Sequence, residues 1–107
     1  MEIPQIDVHE LSRLRADGAI VIDVRNPDEY ADAHVPGALL FPLPQLAGLV
    51  GDLPADVPLY VICRSGARSQ TACEHLAPLG REVANIAGGT LAWVDAGHEV
   101  ASGGEPG

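Results

Sequence analysis

Short apolar runs alternate with amphipathic stretches along the chain, and this alternation restricts the fold more than any other feature. The clearest run, Ala19-Ile20-Val21-Ile22, is continuously apolar, which is typical of a strand that is covered on both faces. Candidate strands lie at residues 2–5, 19–24, 38–41, 59–62 and 83–86. Candidate helices follow them at residues 8–17, 27–34, 43–50, 69–79 and 90–96, the first of them closed by Gly18. The pattern predicts an α/β fold, a mainly parallel five-stranded sheet flanked by helices on both faces.

The length of 107 residues, 47% of them hydrophobic, suits one domain with its own core and is too short for two. We assign residues 1–100 to that domain, and residues 101–107, which are small and glycine-rich, to a flexible C-terminal tail. No apolar run approaches membrane-spanning length, and the first residues do not resemble a secretory signal. The expectation is a cytoplasmic protein without a structural disulfide between its two cysteines.

The charge balance restricts the partners of the chain. Six basic residues, all arginine, stand against fifteen acidic ones, which gives a net charge of −9. Nucleic acid is a poor partner for such a surface. Because the acidic surface also repels small anions at long range, any positive potential at Arg64 and Arg68 must act locally.

A six-residue segment, Cys63-Arg64-Ser65-Gly66-Ala67-Arg68, joins the apolar run at 59–62 to the helix expected from Ser69. Ligand sites of open α/β sheets lie at this end of a strand, and backbone N–H groups in such a loop can form a nest for an anion. The following helix dipole and the arginines favour a thiolate. Cys63 is therefore the candidate nucleophile. A buried cysteine that acts as a small hydrophobe is the commoner case, but two nearby arginines argue against it here.

Other polar residues favour structural roles. Asp23 and Arg25, at the end of the clearest strand, are expected to form a pair that holds neighbouring loops, and His34 is expected to hydrogen-bond within a turn. Ser69 can cap the helix or donate to a bound anion. No two histidines have ligand spacing with either cysteine, so we expect no metal site and no cofactor. Cys73 falls on the apolar stripe of the 69–79 helix, which predicts burial.

Three blocks of the sequence resemble the rhodanese domain family, and the resemblance runs from about Ile6 to Val100. The first block is Val21-Ile22-Asp23-Val24-Arg25-Asn26-Pro27-Asp28-Glu29-Tyr30, continued by His34-Val35-Pro36-Gly37-Ala38. The second is Cys63-Arg64-Ser65-Gly66-Ala67-Arg68-Ser69, and the third is Ala87-Gly88-Gly89-Thr90-Leu91-Ala92-Trp93. Glu99 stands where many members have a proline, a departure that affects a turn rather than the chemistry.

The resemblance implies sulfur transfer through a persulfide on Cys63. The donor would be a small anion such as thiosulfate, and the acceptor cyanide or a thiol. The surrounding residues would bind the donor and the persulfide: Arg64, Ser65, Gly66, Ala67, Arg68 and Ser69. Four residues separate Cys63 from Arg68, as in the sulfur-transfer branch, whereas related phosphatases have one more. The alternative is a sulfur-relay or regulatory module that receives persulfide from a protein partner. Arg68 can either face the donor or brace the loop from behind, and the sequence leaves both open.

Overall fold

The computed structural model describes residues 2–107 and contains the predicted alternation of strands and helices. The strands are β1 (Gln5–Ile6), β2 (Ile20–Asp23), β3 (Leu39–Leu40), β4 (Leu59–Ile62) and β5 (Val83–Ile86). The helices are α1 (Val8–Ala16), α2 (Pro27–Asp32), α3 (Leu43–Leu49), α4 (Ala67–Leu76) and α5 (Gly89–Asp95). Two 3-10 turns, Val50–Asp52 and Ala77–Leu79, extend α3 and α4.

The five strands form one parallel sheet in the order β1-β5-β4-β2-β3. This confirms the predicted α/β fold with a five-stranded parallel sheet. The register of β2 against β4 pairs Asp23 with Ile62, so the two central strands end at the same level. The chain segments that begin at Val24 and Cys63 therefore leave the same edge of the sheet, where ligand sites of parallel sheets lie.

Helices cover both faces of the sheet, and alternate strand residues supply the two cores. On one face Ile22 and Val61 pack with residues of α3 and α4 such as Leu46 and Leu76. On the other face Val21, Ile62 and Ile86 pack with residues of α1, α2 and α5, namely Leu11, Tyr30 and Trp93. All of these side chains are almost fully buried, which explains why β2 and β4 read as continuous apolar runs.

Local signals set most helix starts. The Asp7 side chain accepts a hydrogen bond from Glu10 N at 2.9 Å, as an N-cap does. Asn26 and Glu29 form a capping box at the start of α2. In contrast, α4 begins at Ala67 rather than at Ser69, because Gly66, with φ of 112°, turns the chain directly into the helix.

The C-terminal residues 101–107 have defined partners, although their composition predicts a flexible tail. Ala101 forms an antiparallel bridge with His34, and Gly103 N donates to Ala31 O at 2.8 Å. Pro106 O accepts hydrogen bonds from Gly37 N at 2.8 Å and lies 3.0 Å from His34 Nε2. The tail thus satisfies backbone groups that the end of α2 and the following turn would otherwise leave unpaired. Composition alone does not reveal such hydrogen-bond partners, because they lie far away in the sequence.

Among residues 2–107, no helix combines the length and the apolar character needed to cross a bilayer.

Candidate active site

Cys63 lies at the carboxyl end of β4, and its sulfur faces the backbone of the loop that follows. Gly66 N donates to Cys63 Sγ at 3.1 Å, and the Ser69 hydroxyl lies 3.3 Å from the same sulfur. The left-handed backbone at Gly66 lets the loop turn back on itself, so its N–H groups point inward. Only 1% of Cys63 is exposed, so its thiol is shielded from bulk solvent.

The pKa of the Cys63 thiol lies below its ordinary value. Burial is the largest influence and raises this pKa. Hydrogen bonds from the Ser69 hydroxyl and from the backbone N–H groups of Ser69, Gly66 and Ser65 together outweigh burial. Each of these donors stabilises a negative charge on sulfur, which is the condition for a nucleophilic thiolate.

The first turn of α5 holds the backbone of the cysteine loop from one side. Thr90 donates to Cys63 O twice, from its backbone N at 2.9 Å and from its hydroxyl at 3.0 Å, and Leu91 N donates to Arg64 O at 3.1 Å. The approach is so close that a Cβ on Gly89 would lie 2.5 Å from Arg64 O and 2.6 Å from Cys63 O. A glycine is therefore required at position 89.

Arg68 is held by an ion pair on the side of α2. Its Nη1 and Nη2 donate to the two carboxylate oxygens of Glu29 at 2.7 and 2.8 Å. The hydrogen bonds from Arg68 lower the pKa of Glu29 to about 2, although burial opposes the shift. A guanidinium committed to a carboxylate in this bidentate way braces the loop against α2. The geometry thus favours the bracing role over direct donor binding.

Arg64 differs from Arg68. It is exposed and forms no ion pair with any residue that the structure describes. It lines a cavity of about 250 Å³ between α2 and α5, whose walls include the apolar side chains of Leu91 and Val94 and the carboxylates of Asp32 and Asp95. Arg64 is therefore the cation of the loop that can meet an incoming anion.

Asp23 and Arg25 form an ion pair close to the site, with 0% and 5% of their surfaces exposed. Arg25 Nη2 donates to Asp23 Oδ2 and to Ala33 O, both at 2.8 Å, and so ties the end of β2 to the residue after α2. Arg25 also lines the cavity that Arg64 lines, while its Nε and Nη2 are held by Asp23 and Ala33 O.

His34 is buried on the far side of α2. Its ring stacks on Tyr30, with centroids 3.7 Å apart. Its Nδ1 lies 2.7 Å from Tyr30 O and its Nε2 lies 3.0 Å from Pro106 O. Both ring nitrogens therefore face backbone carbonyl oxygens, within the turn and in the tail.

Ser69 connects the cysteine to a polar group of the sheet that sequence reasoning missed. Its hydroxyl is fully buried and contacts Asn85 Oδ1 as well as Cys63 Sγ. Asn85 lies on β5 and in turn donates to Gln5 Oε1 at 2.9 Å. The signal was a single amide side chain within an otherwise apolar strand, Val83-Ala84-Asn85-Ile86. Glu29 and Thr90 were also missed as site residues, because their partners are 39 and 27 positions away in the sequence.

Comparison with known proteins identifies the family. The family model described as the rhodanese-like domain matches residues 7–96. The chain belongs to this family. A sulfurtransferase of Allochromatium vinosum is 36% identical over 94 residues, covering 85% of this chain and 88% of that protein. The thiosulfate sulfurtransferase GlpE of Pseudomonas entomophila is 34% identical over 93 residues, covering 86% and 85%. The crystal structure of a rhodanese-related protein from Thermoplasma volcanium superposes with a TM-score of 0.86 at 28% identity, covering 92% of this chain and 97% of that one.

The second cysteine of this rhodanese-like domain is built differently from the first. Cys73 is fully buried among the apolar residues of α4 and β4, as its position on the helix stripe predicts. Burial raises its pKa to about 12, with a further contribution from Glu74. Cys73 is therefore a core residue, and Cys63 is the one of the two cysteines whose pKa is lowered.

Proposed function

We propose that the chain is a sulfurtransferase that moves sulfane sulfur from a donor such as thiosulfate to cyanide or a thiol through a persulfide on Cys63. The observation that carries this proposal is the position of Cys63 Sγ inside the loop, where Gly66 N–H and Ser69 donate to it and lower its pKa. Inward N–H groups that stabilise a thiolate also stabilise the anionic outer sulfur of a persulfide.

The reaction balances in two steps. In the first, the Cys63 thiolate attacks the outer sulfur of thiosulfate, a new S–S bond forms, the original S–S bond breaks, and sulfite leaves with the bonding pair. The product on the protein is a persulfide anion. In the second, cyanide attacks the terminal sulfur, thiocyanate forms, and the Cys63 thiolate is restored. Each step needs a nucleophile and a leaving group that is stable as an anion, and neither step needs a cofactor.

The two loop arginines have different roles in this proposal. Arg64 faces the cavity and binds the sulfonate end of the donor, whereas Arg68, which is paired with Glu29, keeps the loop in shape. Loss of one charge-assisted hydrogen bond worth about 1.5 kcal/mol raises the Michaelis constant about tenfold. We therefore expect Arg64→Ala to raise the constant for thiosulfate about tenfold and to change transfer from an uncharged persulfide donor by less than about twofold.

The alternative is a relay module that takes its persulfide from a protein partner and turns over free thiosulfate poorly. The buried position of Cys63 fits either case, since both donors present a single sulfur atom to the thiolate. Comparing thiosulfate with the uncharged persulfide donor distinguishes the enzyme from the relay module. The relay alternative is favoured when wild-type protein turns over thiosulfate poorly and Arg64→Ala changes that turnover little.

The expected cytoplasmic location stays a prediction.

Intact mass spectrometry of thiosulfate-treated protein tests the proposal. We expect wild-type protein and Cys73→Ala to gain the mass of one sulfur atom, and Cys63→Ser to gain none. Addition of cyanide should remove the sulfur and release an equal amount of thiocyanate. Arg13→Ala, which alters an exposed arginine on α1, is the control for Arg64→Ala in the kinetic comparison. Sulfur on the Cys63→Ser protein would contradict the assignment of the nucleophile.

A further inference from the structure

A row of amide side chains leads from the surface of α4 to the hydroxyl beside the catalytic sulfur. Gln70 Nε2 donates to Glu74 Oε2 at 3.2 Å, and Gln70 Oε1 accepts from Gln5 Nε2 at 2.7 Å. Gln5 Oε1 accepts from Asn85 Nδ2 at 2.9 Å, and Asn85 Oδ1 faces the Ser69 hydroxyl. The row thus links five side chains in an unbroken series.

The direction of every hydrogen bond in this row is fixed by groups that can only accept. The Glu74 carboxylate has no proton, so Gln70 must present its NH₂ to it. Two backbone carbonyls add the same constraint, since Gln5 Nε2 also donates to Ile3 O at 3.2 Å and Asn85 Nδ2 also donates to Gly66 O at 3.2 Å. Exchanging the oxygen and nitrogen of the Asn85 amide would therefore lose the two hydrogen bonds that its NH₂ group donates, to Gln5 and to Gly66 O. The amide oxygen of Asn85 must face Ser69.

The Ser69 hydroxyl has one proton and two competing side-chain acceptors in its buried position. They are Asn85 Oδ1, which is the nearest to the hydroxyl, and Cys63 Sγ, and a third acceptor, Gly66 O, lies at 3.3 Å, the same distance as the sulfur. A neutral thiol is a weak acceptor, whereas a thiolate is a charged and therefore strong one. We propose that Asn85 is a positioning residue that holds the Ser69 proton while Cys63 is a thiol, and yields it to Sγ when the thiolate forms.

The switch consists only of a rotation about the Cβ–Oγ bond of Ser69. When Cys63 loses its proton to water, the hydroxyl turns from Asn85 to the sulfur. In the sulfur-transfer cycle, on which this functional part of the inference rests, the charge moves to the outer sulfur of the persulfide. The inner Sγ is then an uncharged bridging atom, and the hydroxyl returns to Asn85. Asn85 therefore competes with the thiolate and limits how far Ser69 lowers the pKa of Cys63.

The charged groups near Cys63 are not altered by changes at Asn85. They are Arg64 in the loop, Arg68 on α4 with its partner Glu29 on α2, and the Asp23–Arg25 pair at the end of β2. From α5 the nearest contacts are neutral, made by Thr90. A shift in the Cys63 pKa in an Asn85 variant therefore reports hydrogen bonding rather than a change of charge.

The test is the pH dependence of iodoacetamide alkylation at Cys63, measured in a Cys73→Ala background. Asn85→Leu keeps the size of the side chain and removes the nearest competing acceptor, while Gly66 O, at 3.3 Å, remains in both proteins. We expect the pKa of Cys63 to fall by about one unit. Because nucleophilicity falls with pKa, the net gain in alkylation rate near neutral pH is about threefold. In a Ser69→Ala background the same Asn85→Leu change should leave the pKa within about 0.3 units.

An equal shift with and without the Ser69 hydroxyl would overturn the proposal, because the effect would then come from packing alone. Gln5→Met provides a second variant if Asn85→Leu does not fold, since Gln5 is exposed and its change removes one of the two bonds that orient Asn85. We expect a fall of about half a unit in the pKa of Cys63. An unchanged profile would refute the switch. Alkylation needs no sulfur donor, so the result is independent of whether thiosulfate is a substrate.

Discussion

The Glu29–Arg68 pair makes a prediction that can be worked out in magnitude. Glu29→Gln removes the charge but keeps an oxygen that can accept the capping hydrogen bond from Asn26 N, which is 3.1 Å long in the native protein. The start of α2 is therefore preserved, and the loss of stability reports the ion pair. Glu10→Gln, which breaks the more exposed Glu10–Arg13 pair on α1, is the matched control.

The magnitude follows from the pKa of Glu29, which falls from 4.5 to about 2. At about 1.4 kcal/mol per unit the shift corresponds to about 3.4 kcal/mol for a pair fully shielded from water. The side chains of Arg68 and Glu29 are 35% and 25% exposed, so solvent screening reduces this value to about 1 to 2 kcal/mol. We expect Glu29→Gln to lower Tm by about 5 to 10 °C.

The pH dependence has a definite sign. Because the folded-state pKa of Glu29 lies below its unfolded value, the pair stabilises the fold fully above about pH 5 and loses its contribution as the pH falls towards 2. Denaturant unfolding at pH 7 and pH 3.5 measures this. The stability gap between wild type and Glu29→Gln should narrow by about 40% at pH 3.5. The bracing role would be refuted if Glu29→Gln and Glu10→Gln lost the same free energy of unfolding. It would also be refuted if the difference in stability between wild type and Glu29→Gln were the same at pH 3.5 as at pH 7.

Three further predictions concern other parts of the domain. Gly89→Ala should lower the free energy of unfolding by about 3 kcal/mol or more in denaturant unfolding, because the new Cβ meets backbone atoms of the cysteine loop. Gly48→Ala on α3 is the control, and because the space around Gly48 is open it should be neutral or slightly stabilising. Cys73 should react with iodoacetamide at least about a hundredfold more slowly than Cys63 near neutral pH, measured by peptide mapping. Amide exchange at Ala101 and Gly103 should be protected, because both N–H groups donate to backbone carbonyls at or just after the end of α2, whereas exchange at the free rate would confirm the flexible tail predicted from composition.

The sequence predicted the elements well where local physics decides them. The apolar run of β2 requires burial on both faces, and Asp7 and Pro27 mark helix starts through their own backbone chemistry. The predicted bounds of the helix over 69–79 were less accurate. The structure divides it into α4 and a 3-10 turn in which Leu79 is 55% exposed, because Pro78 lacks the N–H that would continue the helix.

The contacts that complete the site could not be read from one sequence, because they join distant segments. Nothing local to Glu29 indicates Arg68, and nothing local to Asn85 indicates Ser69. The two polar residues carry different signals. The capping box already explains an acidic residue at Glu29, so the sequence gives no reason to expect its second role as the partner of Arg68. Asn85, in contrast, is an amide in a buried strand and must have a hydrogen-bond partner. An amide within an apolar strand can therefore mark Asn85 as a residue that needs a partner, although the sequence does not name Ser69 as that partner.

Three elements, α5, α2 and β5, hold the cysteine loop from three directions. The residues that set the reactivity of Cys63 are therefore separate from those that can set the choice of donor or acceptor. Residues of α5 fix the carbonyls of Cys63 and Arg64, Glu29 of α2 fixes Arg68, and β5 fixes Ser69 through Asn85. A loop held in this way keeps its N–H groups directed at the sulfur before any donor arrives, so little reorganisation is needed when charge develops. The side chains of Arg64, Leu91 and Val94, which line the cavity beside α5, make none of these scaffold contacts. Changes at the neutral side chains of Leu91 and Val94 should alter the choice of donor or acceptor while the pKa of Cys63 stays the same, whereas changes at Asn85 should do the reverse.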